Sequence, residues 1–192
     1  MENLIYLIIA LIAAGGIAVA VWNNRRTAEP EEGNASDSVK PDEQKPMTCE
    51  LLQEVLRKMC CTCHDKETEN GWKRIFFPYQ GENFIAETWR DAAYVHLWNT
   101  FWAGVSLDDI DEVSRLRRAI NDANIRCSVT IFYTIDEENN KMAVHFKYVM
   151  PFNRSMANLE DYLRVELGSF FKAQRALEEE LRSVRDEENR NS

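Results

Sequence analysis

The sharpest local signal in the chain is Cys60-Cys61-Thr62-Cys63-His64. Read through Cys60, Cys63 and His64 it is C-x-x-C-H, the spacing of covalent c-type haem attachment, in which two thiols bond the vinyl groups and the histidine ligates iron. The same side chains invite a zinc reading, because thiolate and imidazole are zinc ligands. Local periodicity opposes both. Residues 48–64 have helical period, with Leu52, Leu56, Met59 and Cys63 in one stripe and Leu51, Val55 and Cys60 beside it. On such a stripe Cys60 and Cys63 serve as small hydrophobes, while Cys61 faces solvent. Adjacent helical side chains diverge by about 100°, and structural zinc sites draw ligand pairs from separate segments. The other cysteines, Cys49 and Cys127, lie on the same helix and on a strand. The expectation is therefore free thiols and no cofactor.

Other catalytic constellations are missing from the sequence. His96 and His145 each sit inside an alternating strand with no nucleophile nearby, and no G-x-S-x-G, P-loop, H-E-x-x-H or G-x-G-x-x-G is present. Asp108, Asp109, Asp111 and Glu112 cluster at a helix start, where acids complement the macrodipole. These readings give a non-enzymatic protein. The aromatic residues remain. Along residues 92–104, Tyr94, His96, Trp98, Thr100 and Trp102 alternate with Val95, Leu97, Asn99 and Phe101. If helices cover one of these faces, the other must be covered by a partner protein or left as a binding patch. Trp89, Tyr94, Trp98 and Trp102 are the candidate partner-binding residues. Burial of both faces, internally or in a homodimer, is the competing arrangement.

The elements that would position these side chains follow from period and punctuation. After the first helix, Trp72–Tyr79 leads through the turn signal Gln80-Gly81 into a strand at 83–89, then the strand at 92–104. Ser106 to Asp109 has the form of a capping box with Ser106 as N-cap. It opens a helix to about 124 striped by Val113, Leu116, Ile120 and Ala123. A hairpin follows, alternating Val129, Ile131, Tyr133 and Ile135, turning at 136–140, and returning through Met142, Val144, Phe146, Tyr148 and Met150. A long helix begins near Asn158, with Leu159, Leu163, Leu167, Phe170, Gln174, Leu177, Leu181 and Val184 spaced by four and three. The order α-β-β-β-α-β-β-α predicts an α+β fold whose antiparallel sheet carries helices on one face.

That order, with Phe76-Phe77-Pro78-Tyr79-Gln80-Gly81-Glu82, Ala119-Ile120-Asn121-Asp122-Ala123-Asn124 and Leu167-Gly168-Ser169-Phe170-Phe171, resembles the YbjN family of bacterial sensory transduction regulators. The resemblance spans most of residues 47–184. It implies a type III secretion chaperone-like fold, often dimeric, that acts by binding proteins, in the way secretion chaperones hold extended client segments on apolar surface. It supplies no catalytic residue. The chain departs from typical members in its N-terminal segment and its cysteine cluster.

Composition sets the remaining bounds. The 192 residues are 45% hydrophobic and 29% charged, with a formal net charge of -9, which excludes a wholly disordered chain and opposes nucleic-acid binding. Residues 4–21 hold no charged side chain; as a helix they would be about 27 Å long, close to a bilayer's hydrocarbon thickness. Tyr6 and Trp22 flank this run, and Arg25 and Arg26 follow it. The sequence therefore predicts a single-pass anchor through residues 4–22, N-terminus outside and remainder cytoplasmic, and the resemblance to a bacterial family implies that the membrane is the inner membrane. Ala18-Val19-Ala20 resembles a signal-peptide cleavage site, but the absence of an N-terminal Lys or Arg and the arginine stop favour an uncleaved anchor. A cytoplasmic location also opposes haem attachment, which occurs outside the cytoplasm. The expected organisation is an anchor at 1–26, an acidic linker at 27–46, the α+β domain at 47–185 and a polar tail at 186–192. The linker has six acids, two lysines and three prolines, the composition of an unfolded tether.

Overall fold

The computed structural model describes residues 48–67, 71–89 and 92–191, all within the compact unit Gln44–Ser192. The expected membrane anchor, its flanking arginines and the acidic linker lie outside the described residues. Among the described residues no helix is long and apolar enough to cross a membrane.

The chain folds as α1 (Thr48–Lys58), β1 (His64–Glu67), β2 (Trp72–Tyr79), β3 (Glu82–Trp89), β4 (Tyr94–Ser106), α2 (Ile110–Arg126), β5 (Thr130–Asp136), β6 (Lys141–Pro151) and α3 (Leu159–Asn191). The fold is α+β. Six antiparallel strands form one sheet in the order β1-β2-β3-β4-β6-β5. The β2–β3 hairpin turns where expected: Gln80 and Gly81 both have positive φ, 50° and 88°, which suits the right-handed twist of the flanking strands.

One face of the sheet makes the core. Ile75, Phe77, Phe84, Ala86, Val95, Leu97, Ile131, Val144, Phe146 and Met150 point to it and meet Leu52 and Leu56 of α1, Leu116 and Ile120 of α2, and Leu163, Leu167 and Phe170 of α3. Phe84 meets Phe170 edge to face with ring centroids 5.2 Å apart. As far as each helix extends, the predicted stripe is thus the buried one. A buried amide joins sheet to helix, Gln174 Nε2 donating to Asn99 Oδ1 at 3.3 Å. Asn124 of α2 closes part of the outer edge of β5. Its side chain donates to Ile131 O (2.9 Å) and accepts from Ile131 N (2.8 Å), occupying groups that would otherwise pair with another strand.

Three local expectations are corrected. The first helix stops at Lys58 instead of reaching 64, because Cys60 takes φ 61°, a left-handed conformation that ends helices. Beyond it His64–Glu67 forms an unexpected edge strand, paired with β2 through His64↔Phe76 and Lys66↔Arg74. The N-cap of α2 is Asp109, whose side chain accepts from Glu112 N at 3.0 Å. Ser106 cannot serve there, because β4 continues to it, opposite Lys141. The polar tail is helical as far as Asn191, held to α2 by Arg115–Glu188 (2.6 Å) and Arg118–Glu187 (2.7 Å).

Candidate functional site

The second face of the sheet carries no helix among the described residues. Strand register shows which side chains share it, since directly paired residues lie on one side. Arg74, Glu87 and His96 are consecutive partners across β2, β3 and β4, as are Phe76, Ile85 and Trp98; β6 continues these rows with Val149 and Lys147. Trp72 pairs with Trp89 at one end, and Phe132 of β5 pairs with His145 of β6 at the other. Much of this surface is apolar and accessible: Phe76 is 38%, Tyr94 40%, Val149 47% and Phe101 60% exposed.

Three groups of side chains organise the face. At one end Trp72 contacts Trp89 and His96 at centroid distances of 5.5 and 5.4 Å, and Tyr94 stacks on His96 at 5.5 Å. Burial and the neighbouring Lys147 hold the His96 pKa below its usual value, opposed by Glu87. A polar row crosses the centre. Arg74 Nε donates to Glu87 Oε1 at 2.6 Å, Trp98 Nε1 donates to Glu87 Oε2 at 3.0 Å, and Lys147 Nζ lies 4.3 Å from the Trp98 ring centroid. At the other end Phe132 stacks on His145 at 5.1 Å and Phe101 meets the same ring edge-on at 4.8 Å. Burial alone pushes the His145 pKa down to about 4.

Of the residues predicted to contact a partner, Trp89, Tyr94 and Trp98 lie on this open face. Trp98 forms its floor at 8% exposure, beneath Lys147 and beside Phe132. Trp102 does not share it. The β4–β6 register shifts between Asn99 and Ala103, so three residues of β4, Thr100 to Trp102, stand opposite His145 alone on β6. Within this bulge Phe101 takes φ 57° and turns to His145, whereas Trp102 packs against the core and meets Phe146 edge to face at 5.4 Å. Strict alternation places these two residues the other way round. Sequence reasoning also missed Trp72's contact with His96, Phe132 from the distant hairpin, and Lys147. Pairing of β4 with β6 unites them, a link between segments that periodicity within either cannot show.

The cysteine cluster is rearranged as well. Cys60 is exposed at the turn and Cys61 is half-buried against the core, the reverse of the helical projection, whereas Cys63 is half-buried on the side the projection gave it. Cys63 Sγ donates to Cys61 O at 3.5 Å, and burial pushes both of their thiol pKa values up. His64 lies on the edge strand. Among the described residues no three His, Cys, Asp or Glu side chains converge on a common point where a metal could bind.

No family model and no curated protein matches the chain. Among solved structures it is similar to an uncharacterized protein from Methanothermobacter thermautotrophicus, at a TM-score of 0.49 and 10% identity, over 71% of this chain and 98% of that chain.

Proposed function

We propose that this chain is a membrane-anchored, non-enzymatic protein-binding module of the YbjN-like, type III secretion chaperone-like kind, chaperone-like or regulatory in action. Its α+β domain recognises a partner protein on the open face of the sheet. One observation carries the reading: Phe76, Tyr94, Phe101 and Val149 are accessible together on a face that no described helix covers. Large apolar side chains gathered on one surface favour association, because burying them removes about 25 cal/mol for each Å² taken from water. The size fits too. Six strands about 4.8 Å apart, each with roughly eight residues at 3.4 Å, span on the order of 800 Å², the area one partner contributes to a standard protein interface.

The side chains support recognition over catalysis. Both Glu87 oxygens and both His145 ring nitrogens are already hydrogen-bonded. The uncharged run at 4–22 would fix the module at the inner membrane, and the acidic linker would let the cytoplasmic domain sample its surface at raised local concentration. The test compares the full chain, isolated from membranes, with Tyr94→Asp and Phe101→Asp variants whose far-ultraviolet circular dichroism is unchanged. A protein that co-purifies stoichiometrically with the parent and is lost with both variants is expected; retention by both variants contradicts the reading. A C-terminal reporter fusion tests the orientation, with cytoplasmic activity expected.

A further inference from the structure

Lys147 occupies the middle of the open face, paired across β4 with Trp98 and across β5 with Thr130. Its ammonium lies over an indole ring, half-buried, and among the described residues no carboxylate comes within ion-pair distance of it. Glu87 is the acid that acts on it electrostatically, yet both Glu87 oxygens are already taken by Arg74 and Trp98. Burial pushes the Lys147 pKa down, and only Glu87 opposes the shift. His96, also facing Lys147, is itself held towards its neutral form. A cation partly withdrawn from water without a counter-charge gains more from an arriving carboxylate than a solvated lysine does.

The charge around it has the same sign. By strand register, Arg74 lies on this face with Lys147, against Glu87; at the far end Lys141 stands opposite Asp136 and cancels. The described strands thus present a net positive surface on a chain whose formal charge is -9. Two identical copies meeting face to face would bring these positive surfaces together, which disfavours a symmetric dimer here. A flat membrane is a poor match as well. Adjacent strands rotate by about 20–25°, so six strands accumulate a twist of roughly 100° or more, a saddle that follows a polypeptide better than a plane.

Building on the partner-binding reading above, we propose that the occupant of the open face is an acidic polypeptide segment. One of its carboxylates would pair with Lys147, while its apolar side chains rest on the aromatic groups at either end, Trp72–Trp89–Tyr94–His96 and Phe101–Phe132. Lys147 supplies selectivity for the acid, and the aromatic ends supply contact area.

The experiment selects a displayed library of random linear peptides on the full chain in detergent micelles. Selected peptides are then measured against the parent and against Lys147→Met, which keeps an unbranched chain over Trp98, and Lys147→Arg, which keeps the charge. Expected are peptides enriched in Asp or Glu between apolar residues, weakened about tenfold or more by Lys147→Met, spared by Lys147→Arg, and weakened by salt. Peptides without acidic enrichment, or indifferent to Lys147→Met, overturn the acidic-segment proposal. If those peptides still lose affinity with Phe101→Asp, the partner-binding reading survives. Absence of any enrichment, or peptides unaffected by Phe101→Asp, overturns both. Self-association that excludes peptide from Lys147, or phosphatidylserine vesicles that bind in preference to every peptide, overturns the polypeptide assignment.

Discussion

The backbone N–H of Phe101 donates to Nδ1 of His145 at 3.1 Å, while Nε2 of the same ring lies 2.8 Å from Thr134 Oγ1. A backbone N–H can only donate, so Nδ1 carries no proton, and the neutral ring holds its proton on Nε2 for the threonine hydroxyl. One imidazole therefore ties the β4 bulge to β6 and β5. It also secures a phenylalanine in a backbone conformation that side chains other than glycine rarely adopt.

Replacing His145 by Ala is expected to destabilise the domain by about 2–3 kcal/mol. The change leaves the Phe101 N–H and Thr134 hydroxyl without their partner and opens space between two aromatic rings. Urea unfolding followed by tryptophan fluorescence reads the loss as a lower midpoint. A change below about 0.5 kcal/mol would show that the ring does not hold the bulge.

His145 also makes stability pH-dependent. Its pKa falls from 6.5 to about 4 on folding, so between these values the unfolded chain binds more protons than the folded one. The stabilisation is fully present above pH 6.5 and is lost as pH falls towards 4, by at most about 3 kcal/mol. In His145→Gln the decline between pH 7 and 4.5 should be shallower than in the parent. Parallel pH profiles for the two proteins would contradict the assignment.

Phe101→Gly should separate stability from binding. Glycine adopts φ 57° without strain, and Phe101 is 60% exposed, so the variant is expected to match the parent's stability or exceed it by up to about 1 kcal/mol. Its affinity for the partner should nevertheless drop, as an apolar contact is removed. Marked destabilisation would mean that Phe101 serves the fold instead of the interface.

Trp102 and Tyr94 should behave in opposite ways. Trp102→Ala removes an indole packed on Phe146 and is expected to cost about 2–4 kcal/mol, whereas Tyr94→Ala, at a site 40% exposed, should cost under about 1 kcal/mol. Denaturation midpoints decide this, and equal losses would contradict the face assignments.

This pair also marks how far the sequence could be read. Both hairpins and all three helices are legible, because alternation of period two and stripes of period 3.6 state directly which side is buried. The bulge is not. Thr100, Phe101 and Trp102 contain no Gly or Pro to announce it, and the ring that holds it comes from residue 145, a non-local contact. Strand β1 is similarly hidden, since His-Asp-Lys-Glu has no apolar alternation and is strand only through pairing with β2. Of the four predicted contact residues, Tyr94 and Trp98 keep the expected face because they precede the bulge, and Trp89 because it lies on β3.

Glu112 joins α2 to α3. It accepts from Arg115 at 3.2 Å and pairs with Arg185, while the Arg126–Glu180 pair joins the same two helices at the other end of α2. Glu112→Gln is expected to destabilise by about 1 kcal/mol at low salt and less at high salt, because partly exposed pairs are weak and screened. Hydrogen exchange should quicken in the last turns of α3. Unchanged exchange there would show that packing alone holds the helix end.

The most direct measurement is photocrosslinking in intact membranes, with a photoreactive residue placed in the full chain at Tyr94, at Phe101, or at Val165 on the outer surface of α3, which is 62% exposed. The expected result is one and the same heteromeric adduct from positions 94 and 101 and none from position 165. Failure of both sheet positions to form an adduct, or an equal yield from Val165, would contradict recognition through the open face.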